Sequence, residues 1–169
     1  MSDLLLENKG ILTHSFTNKD RKRILDGLGL AGSKYRTQIY ALSFSNKKEA
    51  ITIKELLDFT RLSLGYLEHT IRANKRQDSL YHGYNLMTVE NQQEISVSYL
   101  SEMLEGQVAV LSSGYLTSKE NLAVLDGLKN SKLFRPDQYS YLLYPNKQLP
   151  KFLEKNTIPK EAVSKSELL

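Results

Sequence analysis

The spacing of apolar residues along the chain predicts a mainly α-helical fold. The longest apolar pattern begins at Thr52, where Thr52 and Glu55 have the spacing of a capping box, and it continues to about Lys75. Two apolar stripes run along this segment at helical spacing. The first contains Ile53, Leu56, Leu57, Leu64, Leu67 and Ile71, and the second contains Phe59, Leu62 and Tyr66. A helix that is apolar on two sides is sandwiched between other elements, so we expect residues 52–75 to form a long, central and buried helix.

A helix is predicted near the N-terminus, and a region of ambiguous conformation follows it. Thr17 is followed three residues later by Asp20, which predicts a helix start. Three glycines then predict the helix end, because glycine accepts the positive φ of a helix C-terminus; they are Gly27, Gly29 and Gly32. Residues 35–44 alternate as a strand would, but they also fit a short helix. The sequence therefore predicts a small extended element here without excluding a helical one.

A helical hairpin is predicted in the second half of the chain. Ser98 is expected to cap a helix that ends near Ser112, and Thr117 with Glu120 forms another capping sequence for a helix that ends near Lys129. The predicted buried residues are Leu100, Met103, Leu104, Val108 and Leu111 in the first helix and Leu122, Leu125 and Leu128 in the second. The short connection between the helices predicts that they pack antiparallel.

Beyond the hairpin, residues 135–138 predict a turn and residues 139–144 a short extended run. From Asn146 the helical spacing is lost, and lysines and prolines become frequent. Pro159 occupies a favourable position for a helix start, ten residues before Leu169. We therefore expect one helical domain over residues 1–145, formed by antiparallel helical hairpins around the long helix, and a polar tail over residues 146–169 that continues into a further region.

Composition restricts the chemistry. The chain contains no cysteine, which excludes disulfides, thiolate metal ligands and cysteine nucleophiles. It has no apolar run long enough to span a membrane and no basic leader with a cleavage site, so we expect a cytoplasmic protein. The three histidines are far apart in the sequence and match no zinc motif. We therefore predict no metal and no cofactor.

The net charge is +4 and the sequence pI is about 9.1. Most basic residues are dispersed, apart from the cluster around Arg21, Lys22 and Arg23 and the lysines of the tail. Nucleic-acid binding would need a continuous basic face. A modest positive charge more often supports solubility, so nucleic-acid binding is a third alternative only.

The richest group of reactive side chains follows the long helix, between Arg76 and Met87. Asp78 is the only carboxylate of this loop, and it is the candidate general acid or nucleophile. A glycoside-cleaving site needs a second carboxylate at a set separation; Glu102 is the partner we select, with Glu68 and Glu105 as alternatives. The candidate substrate-binding residues are Arg76, Tyr81, His82, Tyr84 and Asn85. The alternative interpretation is structural, with the two tyrosines packed against neighbouring apolar residues.

The long helix, the loop and the helical hairpin together show a family resemblance. The loop reads R-Q-D-S-L-Y-H-G-Y-N from Arg76 to Asn85. Over residues 52–144 the arrangement resembles part of the (α/α) toroid domains of carbohydrate-active enzymes, such as cellobiose-phosphorylase-like and glycogen-debranching-like proteins. The resemblance implies paired helices in two rings, with loops at one end that hold substrate and catalytic acids. The chain has far fewer helices than a whole toroid and no tryptophan, so it would be a segment of a larger enzyme.

Two function classes follow from these observations. The leading hypothesis is a fragment of a carbohydrate-active enzyme of the glycoside hydrolase or phosphorylase type, with a carbohydrate ligand. The alternative is a non-catalytic helical interaction domain, in which the second apolar face of the long helix docks onto a partner or onto the remainder of a larger chain.

Overall fold

The structure is a computed structural model that describes residues 2–41 and 48–167. These residues form seven α-helices, one 3-10 helix and two small antiparallel sheets. The helices are α1 (Ser2–Glu7), α2 (Asn18–Ala41), α3 (Ile53–Ala73), α4 (Leu104–Ser112), α5 (Ser118–Lys129), α6 (Phe152–Lys155) and α7 (Lys160–Val163), and the 3-10 helix is Lys9–Thr13. The strands are β1 (Asn85–Val89), β2 (Ile95–Tyr99), β3 (Phe134–Arg135) and β4 (Ser140–Tyr141). The prediction of a mainly α fold with a small extended element is confirmed.

The capping sequences are the most accurate sequence signals. The Thr52 amide donates to the Glu55 carboxylate over 2.8 Å, and the Glu55 amide donates to the Thr52 hydroxyl over 3.2 Å. Thr117 and Glu120 form the same reciprocal pair at the start of α5. Each pair satisfies backbone donors that the first turn of a helix leaves free. The starts of α3 and α5 therefore lie where the sequence predicts them.

The predicted end of α2 is wrong. The helix continues through all three glycines to Ala41, because an interior glycine costs only about 1 kcal/mol relative to alanine and does not by itself end a helix. Gly27 has a packing role, since a Cβ at this position would lie 2.6 Å from Leu4 Cδ2 of α1. The predicted extended element at 35–44 is helical as far as Ala41, and residues 42–44 lie outside the described residues.

The predicted helix start at Ser98 is also wrong. Ser98 lies in β2 and pairs with Leu86 of β1, in a hairpin whose register runs from Asn85 opposite Tyr99 to Val89 opposite Ile95. Helix α4 begins only at Leu104, with Met103 as its N-cap. Leu100 and Met103 therefore precede the helix. The cross-strand pairing uses the backbone groups that a helix from Ser98 would have needed.

The core lies around the helical hairpin and not around the long helix. The predicted hairpin forms, since α4 and α5 contact each other. The residues buried between them and the preceding loop are Leu80, Tyr81, Val110, Leu116, Val124, Leu128 and Leu133. Of the predicted buried residues in α5, only Leu128 is buried, whereas Leu122 and Leu125 are exposed. The face of α5 that meets the core therefore carries Val124 and Leu128, four residues apart.

The prediction that α3 is buried is wrong. Helix α3 contacts α1 and the 3-10 helix, where the Tyr66 hydroxyl donates to the Leu5 carbonyl over 2.8 Å. Those short elements are too small to cover two apolar stripes, and none of the residues of α3 is buried. Ile53 is 77% exposed and Leu67 is 61% exposed. The helix exists as predicted, but an apolar face of it is open to solvent.

Candidate functional site

The loop between α3 and β1 is held by backbone hydrogen bonds that close its base. The Arg76 amide donates to the Leu80 carbonyl over 2.8 Å, and the His82 amide donates to the Asn74 carbonyl over 2.9 Å. Ser79 has a φ of 66°, a left-handed conformation that non-glycine residues rarely adopt. The loop therefore forms a tight turn that presents residues 76–79 at its tip.

An ion pair dominates this tip. The Arg76 guanidinium donates from Nε to Asp78 Oδ1 over 3.0 Å and from Nη2 to Asp78 Oδ2 over 2.8 Å. The hydrogen bond from Arg76 is the main reason that the pKa of Asp78 lies below its usual value. The Leu80 amide donates to the same carboxylate over 3.2 Å. Asp78 is therefore held in its ionised form, and it does not suit the predicted role of general acid.

Glu102 reaches the same guanidinium. Its Oε2 atom lies 3.6 Å from Arg76 Nη2, and its side chain is 16% exposed. Glu102 lies in the segment between β2 and α4, so the β-hairpin returns it to the loop at the end of α3. The two carboxylates selected from the sequence are thus brought together around one arginine, although they are 24 positions apart in the chain.

Helix α5 completes a cleft of about 780 Å³ beside this group. The cleft is lined by Arg76, Asp78 and Glu102 on one side and by the end of α5 on the other. The residues from α5 and the turn after it include Asp126, Asn130, Ser131 and Lys132. We call this space the Arg76 cleft. It contains three carboxylates and two cationic side chains, together with neutral hydrogen-bonding groups.

A glycine allows the loop to approach α5. A Cβ on Gly127 would lie 2.8 Å from the Asp78 carbonyl oxygen, closer than ordinary contacts between these atoms. Asp126 and Asn130 lie on either side of Gly127, four residues apart, and thus share one face of the helix. Sequence reasoning missed these residues. The sequence feature that could have identified them is the spacing of two polar residues around a glycine at the end of a helix.

Tyr81 is not part of an open site. It is 4% exposed and belongs to the core. Its backbone amide donates to Gln107 Oε1 and its carbonyl accepts from Gln107 Nε2, each over 2.8 Å. Because Gln107 is itself fully buried, this reciprocal pair joins the loop to α4. We therefore correct the prediction that Tyr81 binds substrate and assign it to the core.

His82 lies near the ion pair, in a separate depression. Its ring stacks on Tyr99 at a centroid distance of 4.0 Å and an interplanar angle of 16°. Burial lowers the pKa of His82, and the positive charge of Arg76 adds to this effect. The Nδ1 atom is buried and has no hydrogen-bond partner among the described residues. His82 lines a smaller depression of about 490 Å³ together with Lys75, Arg76, Gln77 and Asp78.

Tyr84 and Asn85 are exposed, and neither lines the Arg76 cleft as far as the described residues define it. The Tyr84 hydroxyl donates to Glu105 Oε2 over 3.1 Å, and Asn85 Nδ2 donates to Asn74 Oδ1 over 2.9 Å. These contacts fix the start of the β-hairpin to α4 and to the end of α3. The structure thus places both residues near the loop but outside the cleft.

Other candidate chemistries find less support in the geometry. Across residues 2–41 and 48–167, no group of three or more His, Asp or Glu side chains is arranged to hold a metal ion. Within the basic cluster of α2, Lys22 pairs with Asp26 and Arg23 pairs with Asp20. These pairs interrupt the positive charge that a nucleic-acid backbone would need. None of the helices that the structure describes is long and apolar enough to cross a membrane.

No protein-family model matches the chain, and no curated protein matches it.

Proposed function

We propose that this chain is part of a carbohydrate-active enzyme of the glycoside hydrolase or phosphorylase type, and that the Arg76 cleft binds its carbohydrate ligand. The observation that carries the proposal is the convergence of Asp78, Glu102 and Asp126 around one cleft with Asn130 and Lys132. Carboxylates accept hydrogen bonds from sugar hydroxyls, and amide and ammonium groups donate to them. A concave site with a few convergent polar groups is a typical small-molecule site.

The contacts of Asp78 indicate which of the two roles in glycoside cleavage it would take. Glycoside cleavage uses one carboxylic acid that donates a proton and one carboxylate that is ionised. Asp78 is held ionised by its two-point contact with Arg76, so it fits the ionised role. Glu102 Oε2 lies 3.6 Å from Arg76 Nη2, and we propose Glu102 as the second carboxylate of the pair. Arg76 would then position both carboxylates, because its guanidinium contacts each of them.

The test is carbohydrate binding followed by nuclear magnetic resonance. We expect millimolar cello- or malto-oligosaccharide to shift the side-chain resonances of Asn130 and Arg76, because both line the cleft. Asp126→Asn should weaken the shifts, since it replaces a charged carboxylate of the cleft wall by a neutral amide. Glu90→Gln is the matched control, because Glu90 lies in the turn of the β-hairpin. If no cleft resonance moves at millimolar sugar, the proposal is rejected.

A second candidate function is supported by the exposed face of α3. Ile53, Leu56 and Leu67 are each more than half exposed on one helix. Contiguous apolar surface of this kind marks interaction sites in soluble proteins. We therefore propose, as the alternative, a helical interaction domain that uses α3. Light scattering tests it: a protein that stays monomeric at high concentration and binds no apolar dye would exclude an accessible docking face.

A further inference from the structure

A groove runs between the N-terminal elements and α3, away from the Arg76 cleft. Its volume is about 880 Å³. One wall comes from α1 and the 3-10 helix, and the other comes from the first half of α3 and the residues before it. Its apolar lining is Leu6, Leu12, Ile51, Leu56, Phe59 and Leu62. Ile51 is 77% exposed, so the groove offers apolar surface that the described residues leave uncovered.

The rim of this groove carries more negative than positive charge. Its carboxylates are Asp3, Glu49, Glu55 and Asp58, and its cations are Lys9 and Arg61. Asp58 also pairs with Lys54 over 3.1 Å, which offsets part of the excess. With Lys54 included, four carboxylates still face three cations. An occupant that combines apolar side chains with positive charge would match both the lining and the rim.

The chain itself displays a segment of this type. Residues 147–155 contain α6 and carry Leu149, Phe152 and Leu153, which are 77–80% exposed. Phe152 and Leu153 are adjacent in α6, and Leu149 precedes the helix by three residues, on the other side of Pro150. Lys147, Lys151 and Lys155 flank them, against the single acid Glu154. None of these residues lines the groove of its own chain.

We infer that this groove binds residues 147–155 of a second copy of the chain, and that two copies exchange these segments reciprocally in a dimer. Reciprocal exchange uses the same two surfaces in both copies and closes the assembly at two. Phe152 and Leu153 enter the apolar lining, and the lysines face Glu49 and Asp58 on the rim. The inference rests on the interaction role proposed for α3 and is independent of the Arg76 cleft.

Sedimentation velocity over a concentration series tests the inference. We expect the unmodified chain to dimerise and the double variant Phe152→Ser, Leu153→Ser to be monomeric, with a dissociation constant raised about a hundredfold or more because two anchors are lost. Phe59→Ser should have the same effect from the groove side. Leu122→Ser is the matched control, because Leu122 is 59% exposed on α5 and should leave the dimer intact. Circular dichroism verifies that each variant is folded.

A charge exchange tests the pairing of the two surfaces. Lys151→Glu with Lys155→Glu should weaken the dimer, and the further changes Glu49→Lys and Asp58→Lys should restore it. A chain that is monomeric at high micromolar concentration would overturn the inference. If Phe59→Ser abolishes self-association but the Phe152 and Leu153 changes do not, the occupant is wrong while the interaction role of α3 stands.

Discussion

Gly83 and Gly106 bring the backbones of two elements into direct contact. A Cβ on Gly106 would lie 2.8 Å from the Cα atom of Gly83 and 3.2 Å from its amide nitrogen. Gly83 lies two residues before β1, and Gly106 lies in α4. The reciprocal hydrogen bonds between Tyr81 and Gln107 occur at the same junction. This contact therefore fixes the loop on α4, and with it the position of Arg76 and Asp78.

We expect Gly106→Ala to destabilise the protein. The new methyl group meets backbone that cannot rotate away, and overpacking of this kind costs about 1–3 kcal/mol, which exceeds the gain of about 1 kcal/mol from helix propensity. Gly29→Ala is the matched control, because a Cβ at Gly29 meets nothing within 4 Å in the interior of α2. It should stabilise by about 0.5–1 kcal/mol. Urea unfolding measures both, and equal effects would contradict the close contact.

Gln107 provides a second test of the same junction. Gln107→Met keeps the size of the side chain but leaves the Tyr81 amide and carbonyl without their partner. Each buried unsatisfied group costs about 1–3 kcal/mol, so we expect a loss of about 2–5 kcal/mol. Gln148→Met, at an exposed position, should change the free energy of unfolding by less than about 0.5 kcal/mol. A loss below 1 kcal/mol for Gln107→Met would show that water replaces the side chain.

The sequence predicts local features well because local chemistry determines them. The capping boxes at Thr52 and Thr117 fix two helix starts. Helical spacing alone does not reveal which face is covered. For α3 that depends on how much of the rest of the chain packs against it, and this is a tertiary property.

Only part of the site could be predicted from the sequence, because tertiary packing brings its residues together. The sequence identifies Glu102 as a candidate, but its proximity to Arg76 depends on the return of the β-hairpin, and a helix start is predicted where β2 ends. Asp126 and Lys132 were missed because only the packing of Gly127 on the Asp78 carbonyl brings α5 to the loop. Tyr81 was misassigned because its burial follows from the same packing.

The burial of the hairpin core and the exposure of α3 predict unequal effects of leucine truncation. Leu133 is fully buried, and Leu133→Ala should cost about 2–5 kcal/mol through lost contacts and a residual cavity. Leu67 is 61% exposed, so Leu67→Ala should cost less than about 1 kcal/mol. Leucine and alanine have similar helix propensities, so propensity does not obscure the comparison. Equal losses in chemical denaturation would mean that α3 is covered in solution.

The lowered pKa of Asp78 predicts that part of the stability of the protein is lost in acid. Its pKa is lowered in the folded state, chiefly by the hydrogen bond from Arg76. The contribution of Asp78 to the free energy of unfolding is therefore fully present above the unfolded-state pKa of about 3.9. It is lost as the pH falls through the folded-state pKa of Asp78. We expect Asp78→Asn to be less stable than the unmodified chain at neutral pH and the difference to narrow on acidification. Arg76→Gln should reproduce this pattern in urea unfolding at each pH, because it removes the hydrogen bonds to Asp78.

The lowered pKa of His82 predicts a second dependence of stability on pH, in a higher pH range than that of Asp78. Burial lowers the pKa of His82, Arg76 lowers it further, and Asp78, Glu102 and a hydrogen bond with the Leu100 backbone oppose the shift. Because the unfolded state binds the proton more readily, stability is present above the unfolded-state pKa of about 6.5 and is lost as the pH falls through the folded-state pKa. His82→Phe retains a ring to stack on Tyr99 but cannot titrate, so we expect its thermal midpoint to fall less than that of the unmodified chain between neutral pH and about pH 5. A proton resonance titration of His82 with a midpoint at or above the ordinary histidine value would contradict this account, because the buried ring would then favour its charged form.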